Sequence, residues 1–183
     1  LFNIDSKSEM AGKQTKDAIV SVFLKVFNEM QGFCGSIPAL ADLERQLTEQ
    51  GRYDEFKEKF EDEFGKPWID SRNKFDFIQD TIVDVLEEMG FMSESAARNW
   101  CEKAIEPYQI SIENFAKMVK EYLDHKERNH HLVFLVDEIG QYIGDDSKLM
   151  LNLQTVTEDL GTACRGKVWI IVTSQQDIDS ITK

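Results

Sequence analysis

The sequence contains no apolar run that approaches the roughly 20 residues needed to span a bilayer. Its first ten residues carry neither the basic stretch nor the apolar stretch of a secretory signal. Charged residues make up 30% of the 183 residues, which also argues against a membrane protein. Apolar residues make up 42%, which is enough for the core of a domain of this size.

Cysteine is scarce. Cys34, Cys101 and Cys164 lie far apart and form no C-x-x-C pair, and the three histidines lack the i,i+4 spacing of a helical metal site. This spacing argues against a disulfide framework and against a zinc site. We therefore expect reduced, buried thiols in a cytoplasmic protein.

Basic residues are few. Lysine and arginine number 21 against 34 aspartates and glutamates, so the formal net charge is −13. Neutralising DNA phosphates requires clustered lysine and arginine, so we expect any DNA contact to be indirect or to involve other regions. The acidic residues concentrate in residues 55–63, where a solvated helix face is the expected arrangement and a partner surface the alternative.

Helical periodicity dominates from Asp17 to about Lys126 and predicts five or six helices with short connections. One of them is marked by Phe75, Ile78, Ile82, Leu86 and Met89. Serines placed as N-caps open two later helices, at Ser93 and Ser111.

Two solidly apolar runs follow, Leu132–Val136 and Lys167–Val172. A helical pattern separates them, and Asp145 or Asp146 is its expected N-cap. Strand, helix and strand predict a parallel βαβ unit whose strands are covered on both faces. A further short strand is predicted over Leu1–Asp5.

Polar side chains follow each apolar run. Asp137 and Glu138 end the first, and Thr173, Ser174 and Gln175 end the second. Open α/β sheets bind ligands beyond the carboxyl ends of their strands. The sequence therefore predicts a site where these two polar groups meet.

An apolar strand that ends in Asp-Glu is the Walker B pattern of P-loop ATPases. In such enzymes the aspartate contacts Mg²⁺ and the glutamate polarises the attacking water, roles that fall here to Asp137 and Glu138. A neighbouring strand that ends in a neutral polar residue matches the sensor 1 position of AAA+ enzymes, for which Thr173, Ser174 and Gln175 are all candidates.

The phosphate-binding Walker A motif is missing, since no G-x-x-x-x-G-K-[ST] occurs. Residues 12–15, Gly-Lys-Gln-Thr, have no preceding strand or glycine-rich loop of the right length. We expect ATP and Mg²⁺ as cofactors of an intact parent, and neither bound by this chain alone. Either the domain is degenerate or the motif lies upstream, and the non-methionine start favours the second explanation.

The motifs resemble the large P-loop protein family of bacterial BREX phage-defence systems, called BrxC or PglY. The specific segments are Val136-Asp137-Glu138-Ile139-Gly140-Gln141-Tyr142-Ile143-Gly144, Leu151-Asn152-Leu153-Gln154-Thr155 and Val172-Thr173-Ser174-Gln175. The opening Phe2-Asn3-Ile4-Asp5-Ser6-Lys7-Ser8 is similar to the family segment that follows the P-loop. The resemblance covers roughly the whole chain.

The resemblance implies an internal fragment of an AAA+-like ATPase domain, with the Walker A motif shortly upstream of Leu1. It implies a role in recognising or excluding phage DNA together with methyltransferase and phosphatase-like defence proteins, and self-association through the ATPase core is a further expectation. The family's later strand, arginine finger and lid region are absent from this sequence.

The expected fold is therefore α/β: a partial P-loop NTPase parallel sheet with a large, mostly helical insertion. Residues 1–10 form a strand and turn of the core, 11–130 the insertion, and 131–183 the Walker B strand, crossover helix and sensor 1 strand. One alternative is a non-catalytic interaction module on a degenerate ATPase fold. A metal-dependent nuclease built on Asp137 is disfavoured, because Lys167 begins its strand rather than ending it.

Overall fold

A computed structural model describes residues 2–4, 18–144 and 146–174. The fold is mixed α/β and mostly helical, with a small parallel sheet. The chain divides into two compact units, one of Leu1–Val26 with Gln109–Lys183 and one of Phe27–Tyr108. We call the first the sheet unit and the second the helical unit. The sheet unit includes residues 18–26 and 109–130, which the sequence pattern assigned to the helical insertion.

The sheet has three parallel strands in the order β1-β2-β3. They are β1 (Phe2–Asn3), β2 (Leu132–Asp137) and β3 (Val168–Val172). The predicted βαβ unit is confirmed: β2 and β3 pair in parallel, and a long helix connects them. The predicted strand at Leu1–Asp5 appears as the two residues of β1.

The helices of the sheet unit are α1 (Ala18–Met30, which continues into the second unit), α7 (Ile112–Asp124), α8 (Ile139–Ile143) and α9 (Ser147–Ala163). Phe23 of α1 and Phe115 of α7 pack their rings against Phe134 of β2, at centroid distances of 5.0 Å and 6.4 Å. Asp146 caps α9 by accepting from Lys148 N and Leu149 N, as predicted, whereas Asp145 lies outside the described residues.

The continuous apolar runs predicted a sheet covered on both faces, but the described residues leave one face open. On one side Phe134, Val136 and Val168 are buried and their neighbours are half-buried. On the opposite side Val133, Leu135, Trp169 and Ile171 are 36–59% exposed. The apolar run therefore reflects burial on one face and an open apolar surface on the other.

The second unit is helical. Its helices are α2 (Pro38–Glu49), α3 (Tyr53–Phe64), α4 (Trp68–Ser71), α5 (Gln79–Glu88) and α6 (Glu94–Ala104), with a 3-10 segment at Arg72–Phe77. The periodicity that predicted one helix from Phe75 to Met89 was wrong about its start. Phe75 belongs to the 3-10 segment, in which Lys74 leaves helical geometry at φ −104°, ψ 44°.

A buried carboxylate lies at the centre of this unit. The side chain of Glu44 is fully inaccessible, and its Oε1 accepts from the Tyr53 hydroxyl at 2.8 Å and from Trp68 Nε1 and an Arg72 guanidinium nitrogen at 2.7 Å each. Its Oε2 accepts from Cys34 N at 2.5 Å. A buried charge requires such compensation, and here four donors and one counter-charge supply it.

All three cysteines are buried and unbridged. Burial raises the pKa of the Cys101 thiol to about 11 and also raises that of Cys164. Raised thiol pKa values lower the fraction of reactive thiolate at neutral pH. No helix of the described residues is long and apolar enough to cross a membrane.

Ser111 caps α7 as predicted, because its hydroxyl accepts from Asn114 N at 3.1 Å. Ser93 does the same for α6. We expect Ser111→Ala to lower the free energy of unfolding by about 1 kcal/mol, and Ser111→Gly by only a few tenths. Urea titration followed by circular dichroism measures both. A Ser111→Ala variant as stable as the wild type would show that the hydroxyl does not act as a cap.

Candidate functional site

The site lies at the carboxyl end of the parallel sheet. Asp137 ends β2, and Thr173 directly follows β3. The parallel register pairs Val136 with Val172, so the next residues along the two strands are neighbours. The polar residues come together because each apolar run is followed by a polar residue at the point where its strand leaves the core.

Thr173 and Asp137 are joined by their side chains. The Thr173 hydroxyl donates to Asp137 Oδ1, which also accepts from Glu138 N at 3.1 Å. The same hydroxyl oxygen accepts from Glu138 N at 3.3 Å. Both hydrogen bonds to Asp137 from described residues thus end on one carboxylate oxygen, and the carboxylate is held in a fixed orientation.

Backbone hydrogen bonds tie the same turn to β3. Thr173 N donates to Val136 O at 2.9 Å, and Ile139 N donates to Thr173 O at 3.1 Å. Between them Glu138 adopts φ 58°, ψ 32°, in the left-handed region. A side chain in this region costs on the order of 1 kcal/mol, and such strain concentrates at functional sites.

Asn3 lies on the other side of β2 and completes a row of four hydrogen-bonded residues, Thr173, Asp137, Glu138 and Asn3. β1 pairs with β2 so that Asn3 lies opposite Asp137, and Asn3 Nδ2 donates to Glu138 Oε2 at 2.6 Å. The Glu138 carboxylate is therefore held over β1, while Asp137 is held by β3. The strand order places two carboxylates between two neutral hydrogen-bonding side chains. Asp137 and Glu138 are both half-buried.

The donor set limits what metal the site can hold. Among the residues that the structure describes, no three His, Cys, Asp or Glu side chains gather as a metal site. Mg²⁺ commonly binds through one or two carboxylates together with waters and substrate phosphates. Two adjacent carboxylates therefore fit a Mg²⁺–nucleotide complex. They do not form a complete cage for a bare cation.

The structure brings together three of the five residues predicted for this site: Asp137, Glu138 and Thr173. Ser174 follows Thr173 and is half-buried, and Gln175 lies outside the described residues. Sequence reasoning missed Asn3, because its contact with Glu138 joins residues 135 positions apart. The only available signal was a polar residue inside a predicted opening strand.

The second unit contributes no described residue to this row. Its most polar buried feature, the Glu44 cluster, has its four donors accounted for by the fold. We treat that cluster as structural, because saturated hydrogen bonding leaves the carboxylate no role towards a ligand.

No protein-family model matches the chain, and no solved structure matches it with significance. The resemblance to the BREX family thus rests on the sequence motifs alone.

Proposed function

We propose that this chain carries the Mg²⁺-positioning and water-activating half of an ATP-hydrolysing P-loop site of the AAA+ type. The observation that carries the proposal is the hydrogen-bonded row of Thr173, Asp137, Glu138 and Asn3 at the carboxyl end of a parallel sheet. This edge is where α/β sheets bind ligands.

Asp137 is the residue that would hold the metal of a Mg²⁺–ATP complex, and that metal would neutralise phosphate charge. Thr173 orients Asp137 by donating to one of its oxygens. Glu138 follows directly and is the candidate general base, because a carboxylate can accept a proton from water aimed at a phosphate.

Among the three sensor candidates, the geometry favours Thr173. Its hydroxyl touches both the Asp137 carboxylate and the Glu138 backbone, so it responds to changes at either acid. A neutral hydroxyl can also donate to a phosphate oxygen without adding charge. Ser174 and Gln175 remain candidates for direct phosphate contact.

The metal-dependent nuclease gains no support. It requires a third carboxylate near Asp137, and the described residues offer no such group. Lys167 precedes β3, so it lies at the opposite end of the strand from Thr173. Both observations disfavour the nuclease.

The biological setting that we propose follows from the motif resemblance: an internal part of a BREX-type P-loop ATPase in the cytoplasm, acting with other defence proteins. The formal charge of −13 fits contact with DNA through partners rather than through this chain. ATP-dependent ordering of the strand-end loops would couple the site to those partners.

A second candidate function is a non-catalytic interaction module. One observation favours it: Phe77 of the helical unit is 83% exposed, although aromatic rings of this kind are usually buried or at interfaces. The two functions are compatible in one protein, and loss of nucleotide binding would leave only the second.

Nucleotide binding by the complete product of the gene tests the proposed function. We expect it to bind ATP with a Mg²⁺-dependent affinity, and we expect Asp137→Asn to weaken that affinity about 10–100-fold. In EDTA the wild type and the variant should bind equally weakly, because Asp137 acts through the metal. Isothermal titration calorimetry measures both conditions.

Glu158→Gln is the matched control, since Glu158 is exposed on α9 and the substitution likewise replaces a carboxylate with its amide. Equal Mg²⁺-dependent affinities in the wild type, Asp137→Asn and Glu158→Gln would remove Asp137 from the site. A complete gene product that binds no nucleotide would reject the ATPase function.

A further inference from the structure

The helical unit carries most of the negative charge of the chain. Residues 27–108 contain 19 acidic and 9 basic residues, so this unit holds −10 of the total formal charge of −13. Its helix α5 contains four acidic residues and no basic residue. Charge of this size and sign on one compact unit attracts basic partners and repels nucleic acids and anionic membranes.

Three exposed carboxylates gather where α3 packs on α5. They are Glu63 of α3 and Asp84 and Glu88 of α5, and we call them the acidic face. Lys59 of α3 pairs with Glu88 at 2.5 Å. One ion pair of this kind leaves the acidic face with an excess of negative charge.

The acidic face costs the folded unit free energy. Partial desolvation, together with the neighbouring Asp84 and Glu88 carboxylates, raises the pKa of Glu63 above its ordinary value. Glu87 and Glu88 also occupy the last turn of α5, where the helix dipole disfavours negative charge and no basic residue compensates. Local stability therefore does not explain the arrangement, whereas a cationic partner would relieve both costs.

An exposed aromatic ring lies at the amino end of α5. Phe77 is 83% exposed and precedes the first residue of the helix by two positions. Positions 77, 84 and 88 follow helical spacing, so Phe77 extends the row of Asp84 and Glu88 towards the amino end. Large exposed aromatic side chains beside polar residues are typical anchors of protein interfaces.

The charge and the spacing of this surface select its occupant. A second copy would bring another helical unit of charge −10 against it, which opposes pairing of two such surfaces. Asp84 and Glu88 lie one helical turn apart, as do basic side chains at positions i and i+4 of an apposed helix. The α5 helix is about 15 Å long, a distance that roughly ten residues of a second helix cover.

We infer that Phe77 and the acidic face form a docking surface for a basic amphipathic helix of a partner protein. Apolar side chains of that helix would pack on the Phe77 ring, and its lysines and arginines would meet the three carboxylates. The inference gives the interaction module a partner class. It goes beyond the proposed nucleotide site and does not depend on it, because every residue involved belongs to the helical unit.

A model peptide tests the apolar part of the surface. The probe is a fluorescein-labelled amphipathic helix of about 15 residues, built from leucine and lysine, and fluorescence anisotropy measures its affinity for the 183-residue chain. We expect Phe77→Ala to weaken binding about 10–30-fold, as the loss of an interface anchor does. Ile105→Ala is the matched control, since Ile105 is 62% exposed on the same unit, and should change the affinity less than about twofold.

The charged part of the surface is tested by replacing its three carboxylates with amides, in a variant that combines Glu63→Gln, Asp84→Asn and Glu88→Gln. We expect this variant to bind the leucine–lysine peptide about tenfold more weakly, because three exposed ion pairs are lost. It should be at least as stable to urea as the wild type, since repulsion between like charges is removed.

A control variant with the same change in net charge combines Glu121→Gln, Glu127→Gln and Glu158→Gln, which are exposed positions of the sheet unit. It should bind the peptide within about twofold of the wild type, because general attraction between an acidic protein and a basic peptide is then altered equally. A larger loss in the acidic-face variant than in this control supports the docking surface.

Four results would overturn the inference: no measurable binding of the leucine–lysine peptide, equal affinities of Phe77→Ala and Ile105→Ala, equal losses in the two amide variants, or an acidic-face variant much less stable than the wild type. Self-association of the wild type that Phe77→Ala abolishes, measured by sedimentation, would also overturn it by assigning the surface to a second copy. None of these results depends on ATP binding, so the ATPase function stands or falls separately.

Discussion

Replacing Glu44 with alanine is expected to lower the free energy of unfolding of the helical unit by about 3–5 kcal/mol, the usual result of breaking a buried ion pair from one side. The substitution leaves the Arg72 guanidinium without its carboxylate partner. It also leaves the Trp68 indole N–H and the Cys34 N–H without acceptors inside the core. A loss of this size is a large part of the stability of a small domain.

Urea unfolding followed by tryptophan fluorescence measures the loss, since Trp68 is buried beside Glu44. Glu44→Gln should lose less, because the amide oxygen can still accept from Tyr53 and Trp68. Glu49→Ala on the same helix is the matched control. Glu49 is exposed at the last turn, where a negative charge is slightly unfavourable, so its removal should be neutral or slightly stabilising. A Glu44→Ala variant as stable as Glu49→Ala would refute the structural role.

The Glu44 cluster also gives the unit a pH dependence. Burial, together with the charge of Glu44, raises the pKa of Tyr53 above its ordinary value of 10.0. The neutral phenol is therefore favoured in the folded state. Its contribution to stability is complete below about pH 10 and is lost as the pH rises further.

Replacing Glu138 with glutamine in the complete gene product is expected to lower ATP turnover roughly 10²–10⁴-fold, the usual contribution of a positioned general base. Nucleotide affinity should stay within about twofold, because Asp137 and the phosphate-binding groups are unchanged. Glutamine keeps the shape of the side chain and can still accept from Asn3, so the row of hydrogen bonds persists. The variant therefore separates chemistry from assembly of the site.

Steady-state phosphate release and equilibrium nucleotide binding provide the two measurements. Glu158→Gln is again the control, since Glu158 is exposed on α9 and the chemical change is the same. Unchanged turnover in Glu138→Gln would end the catalytic assignment, whatever the affinity. Equal losses of turnover and affinity would instead indicate a structural role for the carboxylate.

The sequence predicted those features of the sheet and of its candidate site that depend on residues close together in the chain. An unbroken apolar run ended by Asp137 and another ended before Thr173 predicted two parallel strands and the meeting of their polar ends. Asp146 was one of two predicted caps for the helix between them. Each of these features depends on neighbouring residues, which the chain order displays directly.

The features that escaped prediction depend on long-range pairing. Asn3 reaches Glu138 only because β1 pairs with β2 in one register. Glu44 lies on the same helix face as the apolar residues Leu40, Leu43 and Leu47. An acidic residue within an apolar stripe was the one sequence signal of the buried carboxylate. The open face at Trp169 escaped because continuous apolar runs carry no information about which of their two faces is covered.

The left-handed backbone of Glu138 costs stability, whereas the proposed catalytic role requires a carboxylate at this position. Glycine would adopt φ 58° without a clash between Cβ and the backbone, so optimising this chain for stability alone would replace Glu138. A design effort that ranked substitutions by backbone strain would thus select the proposed general base for replacement, together with Arg165 at φ 52°. Under the proposed function, position 138 favours glycine for backbone stability and glutamate for catalysis.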